Sequence, residues 1–354
     1  MKILFVACKY DYGKPELGLS FEYYNLYDPL VKMNNGANQV VLFPFDQVAL
    51  EFGRDAMNEK LLETVEREKP ALCFFFLFGE QIKKETIKKI TDSGKTVTFN
   101  WFADDKWRFE NFSKHWAPLF NWVSTDQESS LQDYKKIGYQ NVIVGGWACN
   151  DSLYKPLGLP KIYDVSFVGQ PHGDRKKIVE KLQKAGIQVE CFGRGWPHGK
   201  VSQEDMIKIF NQSKINLNFT KCSGSFGPKY IAKIFIGKGE NGSMKFYKPS
   251  MWIPNFKSFL ARGQNEIKGR NFEIPGCKSF MLSGYAKGLE NYYSMGKELV
   301  CFSNAKDLVE KIKYYLQHEQ EREAIADAAY KKTMQNYTYE KKFNEIFKTL
   351  GLDT

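Results

Sequence analysis

The chain has 354 residues, of which 43% are hydrophobic and 26% charged, a composition typical of folded proteins and a length that fits two domains. No apolar run approaches the roughly 20 residues of a membrane-spanning helix, and we expect the apolar start to be a buried strand rather than a signal peptide. The net charge is +10, but residues 221–270 alone contribute +8, so no nucleic-acid partner is expected.

Strand-like and helix-like segments alternate through the first half of the chain. The predicted strands are residues 2–8, 38–44, 71–78, 95–102, 122–126 and 141–148. Predicted helices fill most of the gaps, at residues 19–34, 54–69, 80–93 and 128–138. The strands are nearly continuous apolar runs, which is typical of parallel strands covered by helices on both faces. The pattern predicts a doubly wound α/β domain.

A stretch with prolines and a glycine at 150–163 predicts a linker, after which the alternation starts again. The second set of predicted strands is 163–169, 187–193, 214–220, 279–285 and 298–303, with helices at 174–185, 202–213 and 304–318. Two helix starts resemble capping boxes, Ser202 with Asp205 and Asn304 with Asp307. We therefore predict Rossmann-like domains at 1–155 and 156–335, followed by a C-terminal helical segment at 336–354.

Residues 221–262 break this alternation, because they are rich in glycine, lysine and aromatic residues without a clear period. We interpret them as an insertion or mobile loop in the second domain. Aromatic anchors beside lysines suit an acceptor or an anionic surface, so peripheral contact with a membrane fits the segment. A docked structural insertion or an oligomer contact fits it equally well.

The cysteines and histidines predict neither a disulfide framework nor a metal site. The seven cysteines contain no C-x-x-C pair and are odd in number: Cys8, Cys73, Cys149, Cys191, Cys222, Cys277 and Cys301. This usage is typical of reduced core cysteines and indicates a cytoplasmic protein. The four histidines show no ligand spacing.

Ligands of open α/β sheets bind beyond the carboxyl ends of the strands, so the loops that follow strands are the first candidates for a site. The first strand is followed by Gly13 and Gly18, which let a ligand approach the backbone, and by Glu22 on the next helix. The loop lacks the G-x-G-x-x-G fingerprint, which argues against a dehydrogenase. A plain surface loop is the alternative.

Two adjacent carboxylates follow the fourth predicted strand among aromatic residues. Asp104 and Asp105 are therefore candidates to orient or deprotonate an acceptor hydroxyl. Their spacing does not match a metal-binding D-x-D motif. The alternative is a helix cap beside a solvated acid.

Glycine loops also follow two strands of the second domain. Gly169 precedes a helix that Arg175 opens, and a glycine loop before a helix suits a diphosphate. A second glycine loop contains Gly193, Arg194 and Trp196. Arg194 is suited to pair with phosphate, and Trp196 is suited to stack on a base. Glycine turns end many such strands, so the two loops together carry more weight than either alone.

A third candidate for the donor side lies at 268–282. There, Glu273 at the start of a short predicted helix can accept both hydroxyls of a ribose, and Lys268 and Arg270 can neutralise a diphosphate. The alternative is a capping glutamate with a solvated basic flank.

Several stretches of the sequence resemble the CgeB-like glycosyltransferases of the GT-B superfamily. The C-terminal stretches are RNFEIPGC at 270–277, GKELVCF at 296–302, DLVEKIKYYL at 307–316 and EREAIA at 321–326. YDVSFVG at 163–169 and WFADD at 101–105 resemble the family's central and N-terminal signatures. The resemblance covers nearly the whole chain apart from 221–262.

The resemblance implies two facing Rossmann-like domains with a nucleotide-sugar donor in the cleft, mainly on the C-terminal domain. It also implies that no metal or other cofactor is needed, that Glu273 matches the acid that binds the donor ribose, and that the final helix crosses back to the N-terminal domain. The acceptor is expected to be a glycan, a protein or a lipid-linked molecule.

The sequence departs from the family at one position and leaves rival functions open. Many retaining relatives carry a second glutamate eight positions before the one that Glu273 matches, but here that position is Asn265, so the stereochemistry is not fixed. A nucleotide-sugar epimerase or hydrolase on the same scaffold is one alternative. A non-enzymatic binder of anionic surfaces or nucleic acid is the other.

Overall fold

The computed structural model describes residues 1–221, 228–238 and 244–352. The chain divides into two compact units. The first comprises Met1–Gly146, Tyr247–Ser258 and Tyr339–Thr354, and the second comprises Trp147–Phe246 and Phe259–Thr338. Cys222 and Phe226, both within the predicted insertion, lie outside the described residues.

The strands of the first unit begin where the apolar runs of the sequence begin. They are β1 (Lys2–Ala7), β2 (Gln39–Pro44), β3 (Leu72–Phe75), β4 (Val97–Trp101), β5 (Trp122–Thr125) and β6 (Val142–Val144). The strands of the second unit are β7 (Tyr163–Val168), β8 (Glu190–Phe192), β9 (Ser213–Asn218), β10 (Ile236–Lys238), β11 (Met244–Phe246), β12 (Met281–Gly284) and β13 (Val300–Phe302).

The helices between these strands cover both faces of the sheets. In the first half of the chain they are α1 (Asp28–Gly36), α2 (Phe45–Phe52), α3 (Arg54–Glu68), α4 (Lys84–Asp92), α5 (Asp105–Arg108), α6 (Lys114–Trp116) and α7 (Leu131–Lys136). In the second half they are α8 (Arg175–Lys184), α9 (Gln203–Gln212), α10 (Pro228–Ala232), α11 (Trp252–Ala261), α12 (Arg270–Gly276), α13 (Ala305–Gln317), α14 (Glu319–Asn336) and α15 (Tyr339–Thr349).

The sheet of the first unit is parallel, with strand order β2-β1-β3-β4-β5-β6. Its central strands are buried on both faces, because successive residues such as Phe74 and Phe75 of β3 enter the core on opposite sides. The order reverses direction between β1 and β3, which makes this pair the topological switch point of the sheet.

Helix α15 lies in the first unit and completes its core. Tyr339, Phe343, Ile346 and Phe347 form one fully buried face of the helix. The ring of Phe343 packs edge-on against Phe74 of β3 at 5.9 Å and contacts Trp101 of β4 at 6.3 Å between ring centroids.

The sheet of the second unit is also parallel, with order β13-β12-β9-β7-β8 and a switch point between β7 and β9. Both predicted helix caps of this unit are confirmed. Ser202 accepts a hydrogen bond from the backbone N–H of Asp205, and Asn304 accepts from Lys306 and Asp307.

Residues 221–262, which we interpret as an insertion or mobile loop, contain regular elements in their described part. Helix α10, the antiparallel hairpin of β10 and β11, and helix α11 occupy it. The composition concealed them because the elements are short and, in α11, the apolar residues do not face a core. No described helix combines the length and the hydropathy needed to cross a membrane.

Candidate active-site groups

The loop after β1 is held at the switch point of the first unit by Asp46. The carboxylate of Asp46 accepts hydrogen bonds from the backbone N–H groups of Lys9 (2.9 Å) and Tyr10 (3.1 Å). Gly13 adopts a φ of 70°, and a Cβ there would lie 3.3 Å from the Cβ of Asp46, so the turn favours glycine. Gly18 closes the loop by accepting a hydrogen bond from the N–H of Asp11.

Glu22 follows this loop at the start of the next helical turn. Its side chain is buried, and burial raises the pKa of the carboxyl to about 7, partly opposed by a hydrogen bond from Ser20. The neighbouring negative charges of Asp11 and Asp46 raise it further. A carboxyl group with a pKa near neutrality is suited to accept and release a proton.

Asp104 and Asp105 follow β4, but their environments differ. Asp105 is completely buried and accepts hydrogen bonds from Ser113 and from the hydroxyl of Tyr134, the latter at 2.6 Å. Burial raises its pKa to about 6. The prediction that Asp105 acts on an acceptor is therefore wrong, since both of its oxygens are used inside the core. Its contacts position the helical turns that follow β4.

Asp104 is the more accessible member of the pair. Its backbone lies in the left-handed region at a φ of 60°. The carboxylate of Asp126, which follows β5, fixes this turn by accepting from the N–H groups of Asp104 and Asp105, each at 3.1 Å. The strained turn leaves the side chain of Asp104 only partly buried at the carboxyl end of the sheet.

In the second unit, Arg175 donates hydrogen bonds to both loops at the switch point. Its guanidinium donates to the carbonyl of Gln170 (3.0 Å), after β7, and to those of Phe219 (3.2 Å) and Lys221 (3.4 Å), after β9. Lys221 in turn pairs with Asp174 at 3.0 Å. Arg175 therefore positions the loops, a role that a sequence pattern cannot distinguish from phosphate binding.

The loops after β7 and β8 pack directly on one another. A Cβ on Gly193, whose φ is 131°, would lie 2.5 Å from the carbonyl oxygen of Gly169, so the contact requires glycine. The indole N–H of Trp196 donates to the same oxygen at 2.8 Å, and its ring packs edge-on against Phe167. Trp196 thus holds the loops after β7 and β8 against each other, whereas the side chain of Arg194 is exposed.

Within helix α12 the buried carboxylate of Glu273 forms an ion pair with Arg270, whose side chain is partly buried. The guanidinium also lies over the ring of Phe210 at 5.4 Å. Burial disfavours the charge on Arg270, but the carboxylate of Glu273 outweighs it and raises the pKa of the guanidinium above its ordinary value. In this structure the two residues that were predicted to bind the donor, Arg270 and Glu273, pair with each other.

Lys268 pairs with Glu266 at 2.6 Å, and the carboxylate of Glu266 is buried. The neighbouring Asn265 uses its side-chain amide to donate to the carbonyl of Tyr285 at 2.7 Å. The sequence reasoning missed Glu266, although a glutamate close before Glu273 was the available signal.

A buried polar chain fixes the start of α12 against the sheet. The side-chain amide of Asn271 donates to Ser283 of β12 at 3.2 Å, and Asn218 of β9 donates to the same hydroxyl at 3.1 Å. The oxygen of Asn271 caps the turn by accepting from the N–H of Lys268 at 2.9 Å. The sequence reasoning missed these residues, because polar residues inside strands carry no periodic signal.

Two cavities lie beside the sheet of the second unit. One of about 510 Å³ is lined by Asp174, Lys221, Asn265 and Asn304 among others. The larger, of about 840 Å³, runs beside the edge strand β8 and is lined by Trp196 and His198. Within the described residues, no group of three or more His, Cys, Asp or Glu side chains could hold a metal ion.

Comparison with known proteins agrees with this arrangement. The family described as glycosyl transferase-like matches residues 175–233 and 238–348. The spore protein CgeB of Bacillus subtilis (strain 168) is 24% identical over 252 residues, which cover 70% of this chain and 73% of CgeB. The chain is therefore similar to glycosyl transferase-like proteins over these residues and to CgeB over most of its length.

Solved structures show the same fold. Anabaena HepE, solved in complex with UDP, is 14% identical with a TM-score of 0.57 over 99% of this chain and 100% of HepE. Sucrose-phosphate synthase from Thermosynechococcus elongatus is 10% identical with a TM-score of 0.60 over 99% of each chain. At these identities the likeness shows the GT-B fold of this chain and neither its activity nor its substrates.

Proposed function

We propose that this protein is a glycosyltransferase that moves a sugar from a nucleotide diphosphate sugar to an acceptor hydroxyl. The observation that carries the proposal is the extent of the family match, because residues 175–233 and 238–348 contain most of the strand-end edge of the second unit. Arg175 lies on helix α8, and Arg270 and Glu273 lie on helix α12; both helices belong to the unit that contains this sheet.

The second unit is proposed to bind the donor. HepE shares the fold and was solved with UDP, which supports a uridine nucleotide as the first candidate. We infer that the nucleotide exchanges partners with the ion pair of α12, so that Glu273 accepts from the ribose and Arg270 turns to the diphosphate. Negative charge grows on the leaving diphosphate in the transition state, and Arg194, Lys221 and Lys268 supply cations for it.

The first unit is proposed to serve the acceptor, with Glu22 as the general base. Asp104 is the second candidate, since it is the accessible carboxylate of its pair. Glu22 is favoured because it follows β1 at the switch point and because its carboxyl has a pKa of about 7. In this mechanism Glu22 takes the proton of the acceptor hydroxyl as the hydroxyl oxygen attacks the anomeric carbon.

Metal independence is part of the proposal, with lysine and arginine neutralising the diphosphate in place of a cation. The test is transfer activity in the presence and absence of EDTA, after the enzyme has been dialysed against the chelator. Unchanged activity supports the proposal, and loss of activity that Mg²⁺ or Mn²⁺ restores contradicts it.

A thermal-shift screen of uridine, guanosine, adenosine and thymidine diphosphate sugars identifies the donor. A ligand at about 100 times its Kd adds roughly 2.7 kcal/mol to the free energy of unfolding, which is readily measured. Product analysis with and without acceptor then separates transfer from hydrolysis and epimerisation. If the protein has no affinity for any nucleotide sugar and binds polyanions in a strongly salt-dependent way, a non-enzymatic binder of anions is favoured instead.

A further inference from the structure

Helix α11 has inverted polarity, with polar side chains facing the protein and apolar ones facing solvent. Asn255 and Ser258 are buried, and both lie within hydrogen-bond distance of the side-chain amide of Asn111, at 3.4 and 3.2 Å. On the opposite side, Ile253 is 70% exposed and Phe256 48%. The polar contacts fix the orientation of the helix, so the exposed apolar face is a built feature of the first unit.

The exposed residues form one continuous stripe. Trp252 and Leu260 are 42% and 49% exposed, and together with Ile253 and Phe256 they fall within about 100° of the helix circumference. A convex stripe of large aliphatic and aromatic side chains is unfavourable in water, and such patches mark interaction surfaces.

The sequence around this stripe is rich in basic residues, although Lys257 pairs with Glu110 at 3.3 Å. Between residues 241 and 265 the sequence contains Lys245, Lys248, Lys257 and Arg262 and no aspartate or glutamate. Lys245 and Lys248 are exposed. Within the second unit, hairpin strand β11 also exposes apolar residues, Met244 at 69% and Phe246 at 73%.

We propose that the exposed face of α11 binds the surface of an anionic lipid bilayer. An interfacial helix inserts its apolar side chains at the boundary of headgroups and acyl chains while nearby lysines attract anionic headgroups, and α11 with its flanks supplies both parts. Aliphatic residues such as Ile253 and Leu260 gain nothing from a nucleic acid, which disfavours that polyanion. The proposal is independent of the chemistry at the strand ends.

Vesicle co-sedimentation of the full chain tests the proposal. Vesicles of phosphatidylcholine alone are compared with vesicles of equal parts phosphatidylcholine and phosphatidylglycerol, at low and high salt. The wild type is expected to bind only the mixed vesicles and to be released as salt screens the lysines. Ile253→Ser with Phe256→Ser should lower vesicle partitioning roughly tenfold or more, and Lys245→Gln with Lys248→Gln should lower it several-fold.

The matched control is Leu50→Ser with Phe52→Ser, which removes two exposed apolar residues from α2 of the same unit. This control should bind vesicles as the wild type does, and circular dichroism melts should show all variants folded. The proposal is overturned if the wild type ignores anionic vesicles or if the α11 variant binds as well as the wild type. Dissociation of a dimer by the α11 variant, without vesicle binding by the wild type, would assign the face to a second copy of the chain instead.

Discussion

The parallel sheets of the two units share the strand order around the switch point, with six strands in the first and five in the second, but the carboxylates at their strand ends have different neighbours. In the first unit, burial raises the pKa of Glu22 to about 7 and that of Asp105 to about 6. In the second unit, carboxylates are held in ion pairs, as in Glu273 with Arg270 and Glu266 with Lys268. One parallel sheet thus carries a group that can take up a proton near neutral pH, and the other carries acid–base ion pairs, which we propose exchange partners with the diphosphate.

The difference comes from what lies next to each carboxylate. Near Glu22 the charged neighbours are other acids, Asp11 and Asp46, which favour its protonated form. In α12 the basic partner comes from the same helix, three residues before the acid. Equal topology therefore fixes where a site lies, and the side chains of a few loops fix its chemistry.

The largest expected effect is that of Glu22→Gln on catalysis. Loss of a general base should lower kcat by about 10²- to 10⁴-fold with little change in donor affinity. In the wild type, kcat/KM should rise with pH through about 7, because the base must be deprotonated, and the variant should lose this dependence. Glu16→Gln, an exposed acid in the loop before it, is the control. Wild-type rates in the Glu22 variant would assign the base to another residue, with Asp104→Asn as the next test.

Arg270→Met tests the ion pair of the second unit. It leaves the buried carboxylate of Glu273 without its cation, so the free energy of unfolding should fall by about 3–5 kcal/mol in denaturant titrations. The double variant Arg270→Met with Glu273→Met should recover much of the loss, because the buried carboxylate is then removed together with its partner. Arg194→Met, on an exposed site, is the control and should be close to neutral. A small loss in the single variant would show that the pair is solvated.

Glu273→Gln tests the donor role of the same pair. Loss of a charged acceptor for the ribose hydroxyls should weaken nucleotide binding by about 1.5–3 kcal/mol in calorimetry. Glu310→Gln, an exposed acid of the same unit, is the control. Unchanged nucleotide affinity would leave Glu273 with a structural role alone.

The smallest effect is on stability as a function of pH. The pKa of Glu22 is higher in the folded protein, about 7, than the ordinary value of 4.5, so the folded state binds the proton more tightly. Stability from this group is present below pH 4.5 and is lost as pH rises through 7. Glu22→Gln should therefore be more stable than the wild type at pH 8 and about equal to it at pH 4. A variant less stable at pH 8 would contradict the raised pKa.

The fold could be predicted well because buried parallel strands leave long apolar runs, as at 71–78. The predicted strands were too long at their carboxyl ends, since apolar residues such as Phe76 and Leu77 continue into the buried loop after β3. Helix α2 was missed because it follows β2 directly, without a turn signal between them. Helix α11 was missed because its apolar residues face outward.

The candidate site was only partly accessible to sequence reasoning. The strand-end rule selected Glu22 and Asp104, whose roles stay predictions, but it could not separate buried Asp105 from its neighbour. Asp105 is enclosed by Ser113 and Tyr134, which lie later in the chain and donate hydrogen bonds to its carboxylate. The pairing of Arg270 with Glu273, in contrast, follows from their spacing on one helix turn.

Helix α15 imposes an order on folding during synthesis. The rings of Phe74 and Trp101 pack on Phe343, which the ribosome adds long after the strands that carry them. The nascent first sheet therefore emerges with part of one face uncovered, while the second unit, which ends at Thr338, already has all its strands. Chaperone binding to the nascent chain should consequently centre on the exposed aromatic surface of β3 and β4 until α15 has left the exit tunnel.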